Sequence, residues 1–154
     1  MSLILVLNLH GKINSSAPVR KALVELKVEK RFSASVVTDD AATVGMLRLC
    51  KDYVAWCQAD AGLLTSLLEK RGMVSTTGRL DAKALQALGF KDHGSLAEMM
   101  LKEGTRLSEV EGLRPFFRLS PPRGGFKLSL RRQFSEKGVL GNNPKLPELI
   151  GRMA

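Results

Sequence analysis

The stretch Leu3-Ile4-Leu5-Val6-Leu7-Asn8-Leu9 constrains the fold more than any other part of the chain. It is almost unbroken in apolar residues, it has strand length, and Gly11 punctuates its end, so it reads as a buried strand. The residues that follow supply neighbours for it. Ser15-Ser16-Ala17-Pro18 reads as a helix start, a serine supplying the cap oxygen and proline being tolerated in the first turn. Val19, Leu23 and Leu26 recur at helical spacing, with Arg20, Lys21 and Lys27 left in water. Ala34–Thr38 reads as a second strand. Asp39-Asp40 can cap a second helix carrying Val44, Leu47 and Cys50 on one face, and Tyr53–Cys57 reads as a third strand. Residues 1–57 are thus β-α-β-α-β, which predicts an α+β sandwich of one sheet with helices on one face.

Residues 58–113 are more helical. Asp60 precedes Leu63, Leu64, Leu67 and Leu68, and Lys70-Arg71-Gly72 follows them: a capped helix with a basic last turn and a glycine stop. Asp81–Leu88, ended by Gly89, is a second helix. Ser95-Leu96-Ala97-Glu98 is a capping-box pattern opening a third, through Lys102. Helix, turn, helix raises a DNA-binding reading. Residues 78–113, however, carry 5 basic and 6 acidic side chains, a balance that disfavours groove binding and leaves these helices as packing elements.

At Arg114 the character changes. The formal charge of +9 over 154 residues is unevenly spread: residues 1–113 hold 15 basic and 13 acidic side chains, residues 114–154 hold 9 and 2. A near-neutral body with a basic end suits a folded module carrying a polyanion-binding arm, the bland alternative being a solubilising tail. On this reading the body is complete by residue 113. Phe116–Leu119 reads as one more strand and Pro147–Met153 as a short final helix docking Leu149 and Ile150. Between them, Ser120-Pro121-Pro122-Arg123-Gly124-Gly125 is excluded from regular structure by two prolines and freed for positive φ by two glycines.

That loop is the strongest local signal. Arg123 can lay its guanidinium fork on a phosphate, and Gly124 and Gly125 let an RNA backbone approach closely while exposing amide donors. A tight surface turn is the structural alternative. With Arg118 before the loop and Lys127, Arg131, Arg132 and Lys137 after it, RNA contact is the favoured reading. Arg20, Lys21, Lys30 and Arg31 form a weaker second cluster around the first helix. Residues 120–137 have few apolar anchors and read as ordered only on RNA. Basic side chains with only 5% aromatics suit the backbone of structured RNA better than single-strand stacking, and Phe126 reads equally as a stacking or a packing ring.

Other chemistries find little support. Cys50 and Cys57 have six residues between them, and His10 and His93 are the only histidines. Buried, reduced thiols in a reducing compartment are expected rather than a metal site. His10 follows a strand, His93 falls in a loop between helices, and neither pairs with a GxSxG elbow; Walker-type and GxGxxG loops are missing too. No catalytic residue, metal, cofactor or small-molecule substrate is expected. The longest apolar run, Leu3–Leu7, is far short of the ~18–20 residues that span a bilayer. It lacks a preceding basic region and a cleavage site, so a soluble, intracellular chain with no membrane partner is expected.

Several longer motifs stand in order along the chain. They are Gly45-Met46-Leu47, then Lys51-Asp52-Tyr53-Val54 with Trp56, then Leu68-Glu69-Lys70-Arg71-Gly72. Phe117-Arg118-Leu119-Ser120-Pro121-Pro122-Arg123-Gly124-Gly125 follows, then Phe134, Gly138, Leu140-Gly141 and Leu149-Ile150-Gly151-Arg152-Met153. On these the whole chain resembles large-subunit ribosomal protein thirty (L-thirty) in its long archaeal form, the counterpart of eukaryotic ribosomal protein seven (L-seven). The resemblance implies a ferredoxin-like core over 1–57, an antiparallel sheet with helices on one face. To this it adds a helical extension over 58–113 and a basic rRNA-binding C-terminal segment over 114–154, within a single domain. It also implies no enzymatic activity and a structural role in the cytoplasmic ribosome. Its implied partners are large-subunit rRNA near the 5S rRNA and other large-subunit ribosomal proteins. Val44 stands where the family usually has arginine, and Gly138-Val139 where it usually has paired glycines. A free regulatory RNA-binding module is the alternative.

Overall fold

The computed structural model describes residues 2–75 and 78–154. Leu3–Asn8 (β1), Ser33–Thr38 (β2), Val54–Gln58 (β3), Phe117–Arg118 (β4), Ser129–Gln133 (β5) and Gly138–Asn142 (β6) form one sheet in the order β4-β2-β1-β3-β6-β5. The helices are Ala17–Glu25 (α1), Ala41–Leu49 (α2), Ala61–Arg71 (α3), Ala82–Ala87 (α4), His93–Glu103 (α5) and Leu146–Met153 (α6).

β1 is apolar at nearly every position because both of its faces are covered. Side chains alternate between faces along a strand, so its residues serve two cores. Ile4 and Val6 pack with Val37 and Val54 against Val19, Leu23 and Leu47 of α1 and α2. Leu3, Leu5 and Leu7 pack with Val36 and Ala55 against Leu64 and Leu67 of α3, Met100 of α5 and Ile150 of α6. Each such side chain contributes about 1.5–3 kcal/mol on burial. The β-α-β-α-β core therefore has the expected form: β2, β1 and β3 are antiparallel neighbours, with α1 and α2 on one face. The second face, which the pattern of the first 57 residues leaves open, is covered by the extension helices and α6. The complete sheet is mixed, because β6 joins β3 in parallel and β5 joins β6 in parallel.

Three helix starts depart from expectation. Asp40 does cap α2, accepting from the Thr43 N–H at 2.9 Å. The hydrogen bonds from Thr43, with the Arg106 guanidinium beside them, hold its carboxyl below the usual carboxylate range. Ser16 and Asp60, by contrast, stand at the N-cap positions of α1 and α3 without a side-chain cap bond. α5 starts at His93 rather than Ser95: Asp92 is extended, and the Ser95 hydroxyl, in the third helical position, accepts the Asp92 N–H at 3.2 Å. His93 is thus helical, not in a loop, and its Nε2 meets the Leu80 carbonyl at 2.9 Å.

The C-terminal segment also departs from expectation. Phe117, Leu119, Val139, Leu140, Leu146, Leu149, Ile150 and Met153 are buried in the same core as Leu5 and Leu64. The body is therefore not complete at residue 113. Residues 129–133, within the segment expected to be ordered only on RNA, form β5. Polar ties hold this strand where apolar anchors are few: the Gln133 amide donates to the Lys51 carbonyl at 3.0 Å, and His10 meets the Leu130 carbonyl. Among the described residues no helix is long and apolar enough to cross a membrane.

Candidate nucleic-acid interface

The strand registers gather most of the expected contact residues at one end of the sheet. Asn8 lies opposite Val54 and Arg118 opposite Ser33, so β2 and β3 begin where β1 and β4 finish. β6 runs parallel to β3 and starts at that same end, with Ser129 of β5 opposite Gly138. Lys30, Arg31, Arg118, Arg131, Arg132 and Lys137 all adjoin this end, and all are exposed. Arg20 and Lys21 follow from the loop that leaves it, and with Lys12 and Ile13 they border an open hollow of about 590 Å³. The opposite end, where β2 and β3 finish, carries Asp39, Asp40 and Asp60, with Arg106 paired to Asp40 at 2.9 Å.

The glycine loop is built to be approached. The Gly125 N–H donates to the Pro122 carbonyl at 3.1 Å, closing a tight turn. Gly124 and Gly125 have φ of +77° and +73°, a region L side chains avoid. A Cβ on either would meet nothing within 4 Å, so backbone conformation rather than crowding requires glycine, and the space above the loop is open. The loop is clasped from below by Arg152 of α6, whose Nη1 donates to the carbonyls of Arg123 at 3.3 Å and Gly125 at 2.9 Å. The Arg123 N–H returns a bond to the Arg152 carbonyl at 3.2 Å. Ion pairing among the described residues involves Lys12 with Glu29 and Arg106 with Asp40, which leaves the Arg123 guanidinium without an acidic partner. Arg152 is a positioning residue that the charge map alone does not distinguish; its place in the closing Leu149–Met153 motif is its only sequence signal.

Not every expected cation is equally free. Arg31 donates through Nε to the Leu9 carbonyl at 3.1 Å, and its guanidinium lies over the Phe32 ring at 4.7 Å. It is therefore partly occupied in tying β2 to the end of β1. Phe32 in turn stacks on Phe126, with centroids 6.1 Å apart and planes at 24°. Phe126 is thus a packing ring. Of the eight aromatic side chains, Phe117 is buried and the other seven are half-buried, a poorer set of stacking platforms than fully exposed rings would be. Lys127 borders a hollow of about 250 Å³ shared with Lys145 and Arg152. Arg118 points outward next to buried Phe117, as strand alternation requires. Arg131 and Arg132 sit on an edge strand whose fit depends on Gly138, where a Cβ would collide with the Arg132 carbonyl across a register shift.

Val44, at the position where arginine was expected, is half-buried and borders a hollow with Leu47 and Trp56, so it offers packing rather than charge. Cys50 and Cys57 are buried and free, and burial pushes both thiols up to about 11. Among the described residues no group of three or more metal-ligating side chains forms.

Archaeal proteins similar to this chain carry the name of one ribosomal protein. The chain is 34% identical over 149 residues to "Large ribosomal subunit protein uL30" of Cenarchaeum symbiosum, covering 97% of this chain and 96% of the relative. It is 35% identical over 149 residues to the protein of that name in Methanothrix thermoacetophila, covering 96% and 97%. With the Nitrosopumilus maritimus protein, again so named, it shares 31% over 150 residues, covering 97% of each. No family model matches the chain.

Proposed function

The chain belongs to the large ribosomal subunit protein uL30 family, and from that membership we propose that its basic sheet end binds and stabilises large-subunit rRNA near the 5S rRNA. The chain is a structural protein of the large subunit and not an enzyme. Its place of work is then the cytoplasmic ribosome, among rRNA and other large-subunit proteins.

One observation carries the RNA reading: residues far apart in sequence, from Lys30 to Lys137, bring unpaired cations to a single end of the sheet. The action is electrostatic positioning. Arg118, Arg123, Lys127, Arg131, Arg132 and Lys137 neutralise phosphates and release counterions, with Arg20, Lys21, Lys30 and Arg31 flanking them. Gly124 and Gly125 admit the backbone to the loop amides. With the aromatic rings half-buried or buried, shape and phosphate contacts dominate over base reading.

The test is a salt titration of binding to a transcript of archaeal large-subunit rRNA annealed with 5S rRNA. Arg123→Ala with Arg131→Ala is expected to weaken binding and flatten the slope of log affinity against log salt by about 1 per lost phosphate contact. An unchanged slope removes these residues from the contact. Retention on large subunits through a high-salt wash distinguishes a ribosomal constituent from a free regulatory module.

A further inference from the structure

A second group of cations lies on the face of the sheet away from α1. The last turn of α3 contributes Lys70 and Arg71, the bridge after it Arg79, and the glycine loop Arg123. Together with Gly151 and Ala154 at the end of α6 they line an open groove of about 610 Å³, in which Glu69 is the acidic side chain. We propose that this groove is a second RNA-backbone site, taking a phosphodiester segment on the α3 and α6 side of the sheet. The inference rests on the rRNA-binding reading above and extends it to Lys70 and Arg79, which lie outside the residues assigned there.

Three observations support it. First, one of the groove's cations is preorganised. Arg71 Nη2 donates to the Ser120 hydroxyl at 2.9 Å, and that hydroxyl donates to the Met153 carbonyl at 2.9 Å. The arginine is thereby fixed between α3, the glycine loop and α6, so little side-chain freedom is left to lose on binding. Second, the groove is cationic in excess, four basic side chains against Glu69. Neither Lys70, Arg79 nor Arg123 takes part in an ion pair among the described residues. Gathering like charges costs stability in the free protein, a cost that a polyanion relieves. Third, the wall chemistry selects the ligand. The groove is lined by charged and small residues with no aromatic or large apolar side chain. A free nucleotide would need an apolar wall for its base, whereas a phosphodiester chain needs only cations along an open path. Arg123 borders both this groove and the loop, so the two contacts adjoin.

The groove faces the side of the sheet covered by α3, α5 and α6, while Arg20 and Lys21 belong to α1 on the other side. The test therefore uses the full chain and the same archaeal large-subunit rRNA transcript. Lys70 and Arg79 are exposed, so Lys70→Ala with Arg79→Ala is expected to leave the thermal midpoint unchanged while lowering the salt slope by about 2. A wild-type slope in a folded double variant overturns the groove and leaves the rRNA reading standing. If wild-type protein itself binds the transcript without salt dependence, both fall. Should the alanine pair lose stability, Lys70→Gln with Arg79→Gln, which keeps the aliphatic stems and removes the charges, decides: a slope lowered by about 2 supports the site, and a wild-type slope overturns it.

Discussion

The imidazole Nε2 of His10 and the carbonyl oxygen of Leu130 lie 2.6 Å apart, joining the end of β1 to β5 across 120 positions of sequence. A carbonyl only accepts, so Nε2 is the protonated nitrogen in this contact. The His10 ring also meets Tyr53 edge-on, with centroids 6.4 Å apart, which fixes its orientation. Together with Gln133, bonded to the Lys51 carbonyl, it holds a strand of exposed arginines against the sheet.

His10→Ala is therefore expected to cost about 1 kcal/mol, the ordinary net worth of one hydrogen bond. Its effect should be local. Amide hydrogen exchange should quicken in 129–133 and stay slow in 3–8. Equal protection of both segments before and after the change would show that β5 is held by something else.

Arg152 should act on RNA only through the loop it clasps. Arg152→Ala frees the Arg123 and Gly125 carbonyls, and limited proteolysis should then cut within 120–125 faster than in the wild type. Arg152→Lys retains the charge but not the two-carbonyl geometry, so it should resemble alanine in proteolysis. If lysine protects the loop fully, charge rather than geometry holds it.

Removal of residues 114–154 should abolish the fold. The eight buried residues lost from the main core, at about 1.5–3 kcal/mol each, match or exceed the roughly 5–15 kcal/mol by which a whole domain is stable. The truncated protein should bind a hydrophobic dye and lack a cooperative thermal transition. A sharp transition with no dye binding would make 1–113 an autonomous body after all.

The elements that could be read from sequence were those whose signal is local. The apolar run of β1, the Val19-Leu23-Leu26 stripe of α1 and the Asp40 cap of α2 each carry their own pattern. β5 and β6 were missed because neither alternates in polarity. Ser129–Gln133 is mostly polar, Gly138–Asn142 contains two glycines, and the two pair in parallel across a register shift. Such strands exist only by virtue of their partners. The candidate site divides in the same way. Arg118 and Arg123 could be picked out from the composition of their segment. The diversion of Arg31 to the Leu9 carbonyl, the clasp by Arg152 and the meeting of Lys70 and Arg79 with Arg123 depend on distant neighbours.

The buried cysteines should make the protein sensitive to alkali. Burial raises both thiols from 9.0 to about 11, so the folded state favours the protonated form. Their contribution is intact below about pH 9, where unfolded and folded thiols are both protonated, and it is lost as pH rises from about 9 to 11. Thermal stability should fall across that window. Cys50→Ala with Cys57→Ala should flatten the fall while lowering the plateau, because cavities replace the sulfurs. An identical pH profile in the double variant would assign the alkaline loss to other groups.

Both edge strands of the sheet, β4 and β5, come from the last 41 residues, so the sheet is closed at its two sides by a single stretch of chain. Residues 114–154 follow β1, β2 and β3 in the chain, so they are synthesised after them. A chain released before them would carry β1, β2 and β3 with open edges and would lack Arg118, the glycine loop and β5. Such a copy would present unpaired strand edges, the ready template for pairing with another chain.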